Sequence, residues 1–164
     1  MENIKIRNAK LIFRNLAGAE KEYNSAGDRN VGIVIRDERM VQELIQNGWN
    51  VKQTKPREGF EDEFVPEFYI QAKLKYRDKS GNLKTYPPTV YIVKSNNEKV
   101  LLDEDTVGQI DHAEIQDVRV ELSPYAYEYR GKSGIAAYIT RMYVKVIEDD
   151  FENFEELDDP FEIN

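Results

Sequence analysis

Phe68-Tyr69-Ile70-Gln71-Ala72-Lys73-Leu74-Lys75-Tyr76-Arg77 alternates without a break. Phe68, Ile70, Ala72, Leu74 and Tyr76 share one face, while Tyr69, Gln71, Lys73, Lys75 and Arg77 share the other. Successive side chains of a strand point to opposite faces, so this period of two is that of a half-buried β-strand. Its apolar face calls for a core. Its polar face holds three cations and no acid, so one decamer predicts both a sheet and a surface attractive to anions.

Downstream, Asp78-Lys79-Ser80-Gly81-Asn82 supplies turn chemistry. Leu83 to Lys94 is predicted to return as the partner strand, with Pro87-Pro88 suiting a sheet edge. Upstream, Met40, Val41, Leu44 and Ile45 fall at helical spacing between Asp37, an N-cap residue, and a Gly48 stop. Trp49 follows, and a large ring beside a helix end is expected in the core. Asn30 to Ile35 reads as a short strand, and Asn3 to Phe13 as one with a bulge near Asn8. Between them Asn15 to Arg29, with Gly18, Asn24, Gly27 and Asp28, is a loop long enough to expect function from it. Val118, Val120 and Leu122 mark another strand. The last hairpin runs from Tyr125 to Arg130, turns at Gly131-Lys132-Ser133-Gly134 and returns over Ala136 to Ile147. In that return Tyr138, Thr140, Met142, Val144 and Val146 are predicted to face the core, and Arg141, Tyr143 and Lys145 to face out. Many short strands, one covering helix and long loops predict a mainly β fold, an OB-fold-like Greek-key barrel.

The 164 residues suffice for one ordinary domain. There is no cysteine, so neither disulfides nor thiolate metal sites hold the fold. No signal-like apolar start and no run of about 18 apolar residues occurs, which predicts a cytoplasmic chain that is neither secreted nor membrane-spanning and has no membrane partner. The net charge of −8 is unevenly placed. Glu148 to Asn164 holds nine acids and no base, leaving 22 acids against 23 Lys and Arg in residues 1–147. A near-neutral body with an anionic terminus predicts a domain over 1–147 and an acidic, disordered interaction tail over 148–164. The tail interleaves Phe151, Phe154, Leu157, Phe161 and Ile163 with its acids. That pattern offers apolar anchors to a basic pocket on a partner, or a mimic of nucleic acid for the chain's own groove.

Single strands are held by Lys and Arg against phosphate and by aromatic rings against bases, each stack contributing roughly 1–3 kcal/mol. Both residue types recur together here, among ten tyrosines. The candidate DNA-binding residues are Arg14, Lys21, Tyr23 and Arg29 in and beside the long loop, and Tyr69, Lys73, Lys75 and Arg77 on the decamer's polar face. Tyr127, Tyr129, Arg130, Lys132 and Arg141 join them from the last hairpin. Taken singly, each cluster also fits a solvated strand face, because β-propensity enriches tyrosine. Two metal readings weigh less. Asp103 to Glu114 imitates part of a calcium loop, but Val107 stands where a ligand is needed. A nuclease cluster of Asp103, Asp105, Asp111, His112 and Glu114 would need converging carboxylates, and a surface acidic turn explains them with less. The expectation is therefore a protein without cofactor, metal or catalysis, with a protein-binding adaptor or nucleic-acid mimic that does not bind DNA as the alternative and a metal-dependent nuclease behind it.

Phe13-Arg14-Asn15-Leu16-Ala17-Gly18, Tyr23-Asn24, Gly27-Asp28-Arg29-Asn30, Gly48-Trp49-Asn50-Val51-Lys52 and Gly131-Lys132-Ser133-Gly134-Ile135-Ala136-Ala137-Tyr138 with Met142-Tyr143-Val144 together resemble a family of tailed-phage single-stranded DNA-binding proteins. The resemblance implies an OB-fold that coats strands exposed in phage DNA replication and recombination, inside the infected bacterium. It also implies an acidic tail that recruits replication or recombination proteins, and it is compatible with a homo-oligomer. Asp158-Asp159-Pro160-Phe161 is similar to the acidic tip of bacterial single-stranded DNA-binding proteins, although Glu162-Ile163-Asn164 extends beyond it. With Phe151 and Phe154, these are the residues expected to meet a protein partner.

Overall fold

The computed structural model describes residues 2–148. The tail residues Phe151, Phe154, Asp158, Asp159, Pro160 and Phe161 lie outside them. The elements in chain order are β1 (Ile4–Asn15), β2 (Arg29–Val34), α1 (Glu38–Gln46), β3 (Val51–Gln53), β4 (Phe68–Leu74), β5 (Thr89–Val93), β6 (Lys99–Leu102), β7 (Ile115–Tyr129) and β8 (Lys132–Val146). Short 3₁₀ turns occupy Glu61–Glu63 and Val107–His112.

Strands β1, β2, β4, β8 and β7 close into a five-stranded barrel. All its pairings are antiparallel except the one that seals it, β4 with β8, where Ala72 faces Ala137 and Lys73 faces Tyr138. This is the OB-fold arrangement, in which β2 and β4 are barrel strands two and three. Strand β3 hangs on β4, and the β5–β6 wing attaches to the second half of β8. Ile33, Ile70, Leu74, Leu122 and Met142 fill the barrel, with Val41 and Leu44 of α1 buried in the same cluster. Trp49 is 5% exposed, as its place beside the helix end requires. The Asp37 carboxylate accepts from the N–H groups of Arg39 and Met40, a regular N-cap.

Three expectations need correction. Leu83 to Lys94 does not return against β4: only Arg77 and Leu83 bridge, and the paired strand begins at Thr89 and runs parallel to β8. Pro87 and Pro88 lack ladder donors, so pairing resumes only beyond them. The last turn is shorter than expected, two residues at Arg130 (φ 51°) and Gly131 (φ 76°). Both central residues lie in the left-handed region, as in a type I′ hairpin. Finally, Ile135, Ala137 and Ile139 face inward, and Tyr138 and Thr140 do not. Leu122 pairs with Ile139 but Glu121 with Arg141, so Thr140 is an extra residue that shifts the frame. Its hydroxyl donates to the Glu121 carbonyl (3.1 Å) and carboxylate (3.0 Å), pinning the bulge.

Candidate nucleic-acid interface

The outer face of β4 is the floor of a groove. Gln71, Lys73 and Lys75 project from alternate positions, and the core takes Ile70, Ala72 and Leu74. Gln71 donates to the Asn30 side chain of β2 (2.8 Å), and Asn30 donates to that of Asn24 (2.8 Å), so the floor is tied to the long loop. Three adjoining hollows share these residues. One lies against the loop, with Tyr23, Arg29, Lys73 and Tyr76; one lies against the hairpin, with Lys52, Lys73, Tyr127 and Tyr138. The third continues past Lys75 to Tyr125, Lys84 and Tyr86.

The loop wall is built, not slack. The buried Asn15 amide exchanges hydrogen bonds with Ala19 (2.9 and 3.0 Å), and Asn24 Nδ2 donates to the carbonyls of Ala19 (2.8 Å) and Asp28 (3.0 Å). Gly18 sits at φ 69°, where an added Cβ would stand 3.1 Å from the Gly27 backbone. This frame holds Tyr23 out at 93% exposure, a ring with both faces open. Arg29 donates to the Leu16 carbonyl (2.7 Å) and lies 5.8 Å over the Tyr76 ring. Burial raises the Tyr76 hydroxyl to about 12, so it stays protonated. That hydroxyl is buried without a hydrogen-bond partner among the described residues.

The opposite wall is aromatic. Tyr125 meets Tyr138 edge to face at 5.8 Å, and Lys75 Nζ lies 5.7 Å from the Tyr138 ring centroid. Tyr127 crosses its partner Gly134, where an added Cβ would stand 2.6 Å from its hydroxyl oxygen. Gly134→Ala should therefore displace the Tyr127 ring at little cost in stability, since a free side chain can swing away. Single-strand affinity should fall several-fold, by part of one stacking contribution. Titration beside a melting curve checks both halves, and unchanged affinity would show that Tyr127 takes no base.

Of the sequence candidates, Tyr23, Arg29, Lys73, Lys75, Arg77 and Tyr127 line these hollows. Arg77 is heavily committed: Nε and Nη2 grip Glu104 (3.0 and 2.6 Å) and Nη1 donates to the Gly81 carbonyl (2.7 Å). The pairing raises the Arg77 pKa and holds Glu104 below the usual carboxylate range. Tyr69 stands farther along β4, edge to face with Phe13 at 5.5 Å. Lys21 lies in the loop and bridges to Asn24. Tyr129, Arg130 and Lys132 occupy the hairpin tip, with Arg130 5.3 Å over the Tyr129 ring. Like these five, two further candidates do not line the hollows. Arg14 donates to the carbonyls of Ile110 (2.9 Å) and Ala113 (2.7 Å), and Arg141 pairs with Glu121 (3.2 Å) on another face. Sequence reasoning missed Lys52, Tyr86 and Tyr138. A short strand, a proline-flanked loop and the Thr140 bulge place them, and only the bulge leaves a trace, as two polar residues in succession.

Two of the carboxylates weighed as metal ligands, Asp103 and Asp111, serve other ends. Asp103 Oδ1 accepts from the N–H groups of Asp105 (2.9 Å) and Thr106 (3.0 Å), and the Thr106 hydroxyl bond holds its pKa down. Both Asp111 oxygens accept backbone N–H groups of the long loop.

The family model of the phage ssDNA-binding domain matches residues 1–160. Among solved structures the chain is similar to the single-stranded DNA-binding protein from bacteriophage Enc34 in three forms. The C-terminal truncation has a TM-score of 0.54 at 12% identity, covering 90% of this chain and 87% of that one. The complex with ssDNA has 0.54 at 11%, covering 90% and 88%. A third structure has 0.52 at 14%, covering 90% and 82%. No curated protein matches in sequence.

Proposed function

This chain belongs to the phage ssDNA-binding domain family, and from that premise we propose that the groove over β4 holds a single strand of DNA without sequence preference and without catalysis. The observation that carries this reading is the placement of Lys73 on barrel strand three and Lys75 just past its end, between a loop wall ending in Tyr23 and a hairpin wall of Tyr125, Tyr127 and Tyr138. Cations at strand spacing track a phosphate backbone, and flanking rings accept bases of any identity, since every base has a π-face. The face of strands two and three, with the loops beside it, is where OB-folds bind oligonucleotides. The solved Enc34 complex with ssDNA supports the same use of the fold. Coating of this kind serves DNA replication and recombination inside the infected cell.

The tail's role belongs to the same proposal. Residues 148–164 bring nine negative charges to a body of near-neutral charge, and they compete with DNA until a strand displaces them and frees them for a replication or recombination protein. Anisotropy of labelled single- and double-stranded DNA, with the full chain and with one ending at Ile147, tests both parts. Single-strand preference that weakens with salt is expected of both chains. Truncation should tighten binding several-fold at low salt, the gain shrinking as salt screens the tail. Equal affinities at low salt would leave the tail recruitment only, and no binding by either chain would refute the groove.

A further inference from the structure

A second basic and aromatic face lies where β8 leaves the groove. The Thr140 bulge turns both Thr140 and Arg141 outward, so the outer row of β8 runs on through Tyr138, Thr140, Arg141, Tyr143 and Lys145 without interruption. At about 3.3 Å per residue that row extends roughly 23 Å beyond the groove wall. Its first half borders the groove against β4, and its second half carries the β5–β6 wing. The wing sets Tyr91 beside Tyr143, the rings stacked at 5.1 Å and 10°. Lys99 and Arg141 stand 5.3 and 6.0 Å from the Tyr143 centroid.

The two hollows on this face share Arg119 and Tyr143, and between them collect six cations against Asp117 and Glu121. Glu121 is taken up by Arg141 (3.2 Å) and Lys5 (3.9 Å). Burial would raise its pKa, but hydrogen bonds from Thr140 and Asn3 keep it lowered and charged. Among the described residues no carboxylate lies within ion-pair distance of Lys99, Arg119 or Lys145. Cations left unpaired around a ready-made ring stack suit phosphates alternating with bases, and the continuous β8 row says where the occupant comes from.

We propose that the strand leaving the groove past Tyr138 continues over this face, with Lys99, Arg119 and Lys145 on its phosphates and Tyr91 and Tyr143 extended by a base. The inference rests on the groove reading, and oligonucleotide length separates the two. An oligothymidylate of about 6 nucleotides falls within one OB-fold groove and one of about 20 exceeds it. In the full chain, Lys99→Ala with Arg119→Ala and Lys145→Ala should leave the short oligomer's affinity unchanged. The long oligomer's should fall at least about tenfold, and its log-affinity against log-salt slope should become shallower by about 2, three contacts at roughly 0.7 each. Unchanged affinity at both lengths, or equal loss at both, would overturn the second face. Weaker short-oligomer binding in the full variant, restored in a variant ending at Ile147, would also overturn it and assign the face to an acidic peptide. Failure of the unsubstituted chain to bind the short oligomer would instead defeat the groove itself.

Discussion

Lys73→Ala combined with Lys75→Ala should lower single-strand affinity by more than tenfold at moderate salt and flatten its salt dependence, with the fold intact. Both ammonium groups are exposed on the groove floor, and neither forms an ion pair among the described residues. Removing them therefore strands no buried charge, and stability should stay within about 0.5 kcal/mol. Each lysine that neutralises a phosphate of a single strand contributes about 0.7 to the slope of log affinity against log salt, so the pair accounts for about 1.4. Lys75 has a second effect, because its ammonium lies over the Tyr138 ring and helps hold that ring in the wall. Arg77 is the informative contrast. Its guanidinium is already paired with Glu104 and bonded to the Gly81 carbonyl, so Arg77→Ala should change the slope less while loosening the turn behind it. A salt series by anisotropy decides the matter. An unchanged slope in the double variant would remove β4 from the DNA path.

The barrel was legible where a local rule determined the outcome. The unbroken alternation of Phe68 to Arg77 gave β4 and the correct division of its faces. Asp37, the 3–4 spacing of Met40 to Ile45 and Gly48 delimited α1, and the slip near Asn8 marked a bulge that the structure places between Ile6 and Ala9. Long-range pairing was hidden. Nothing local says that Thr89–Val93 will lie parallel to β8, or that β4 will seal the barrel against it, because parallel partners are chosen by the closed sheet rather than by a turn. One extra residue, Thr140, was enough to send Tyr138 from the expected core to the groove wall, since a shift of one reverses every face.

The candidate site was legible in its chemistry more than in its geometry. Lys73, Lys75, Tyr23 and Tyr127 were foreseeable from residue type and spacing. The fates of Arg14, Arg77 and Arg141 were not, because an arginine's role depends on which carbonyl or carboxylate the fold brings within reach. Arg14 clamps the Val107–His112 turn, nearly 100 residues away in sequence.

That clamp is half of a joint whose other half, Asp111, supports the second large prediction. Asp111 Oδ1 accepts from the Leu16 N–H (2.8 Å) and Oδ2 from that of Ala17 (3.0 Å), while Arg14 grips the carbonyls on either side of Asp111 from β1. Leu16 is fully buried, and Gly108 packs so close to Ala17 that an added Cβ would stand 2.8 Å from its methyl. The root of the long loop is thus bolted to the turn, which fixes where Tyr23 and Arg29 stand. Asp111→Ala removes two charge-assisted acceptors and leaves two N–H groups, one on a buried residue, without partners. A cost of about 3 kcal/mol is expected, or roughly 6–12 °C in Tm for a domain of this size. Single-strand affinity should fall several-fold in the protein that remains folded, because one groove wall loses its anchor. Asp111→Asn keeps one acceptor oxygen and should recover part of both losses. Thermal melts and titrations on the two variants give the answer. Full stability in Asp111→Ala would refute the joint, and single-strand cleavage by the parent with magnesium, abolished in both variants, would return Asp111 to the catalytic reading.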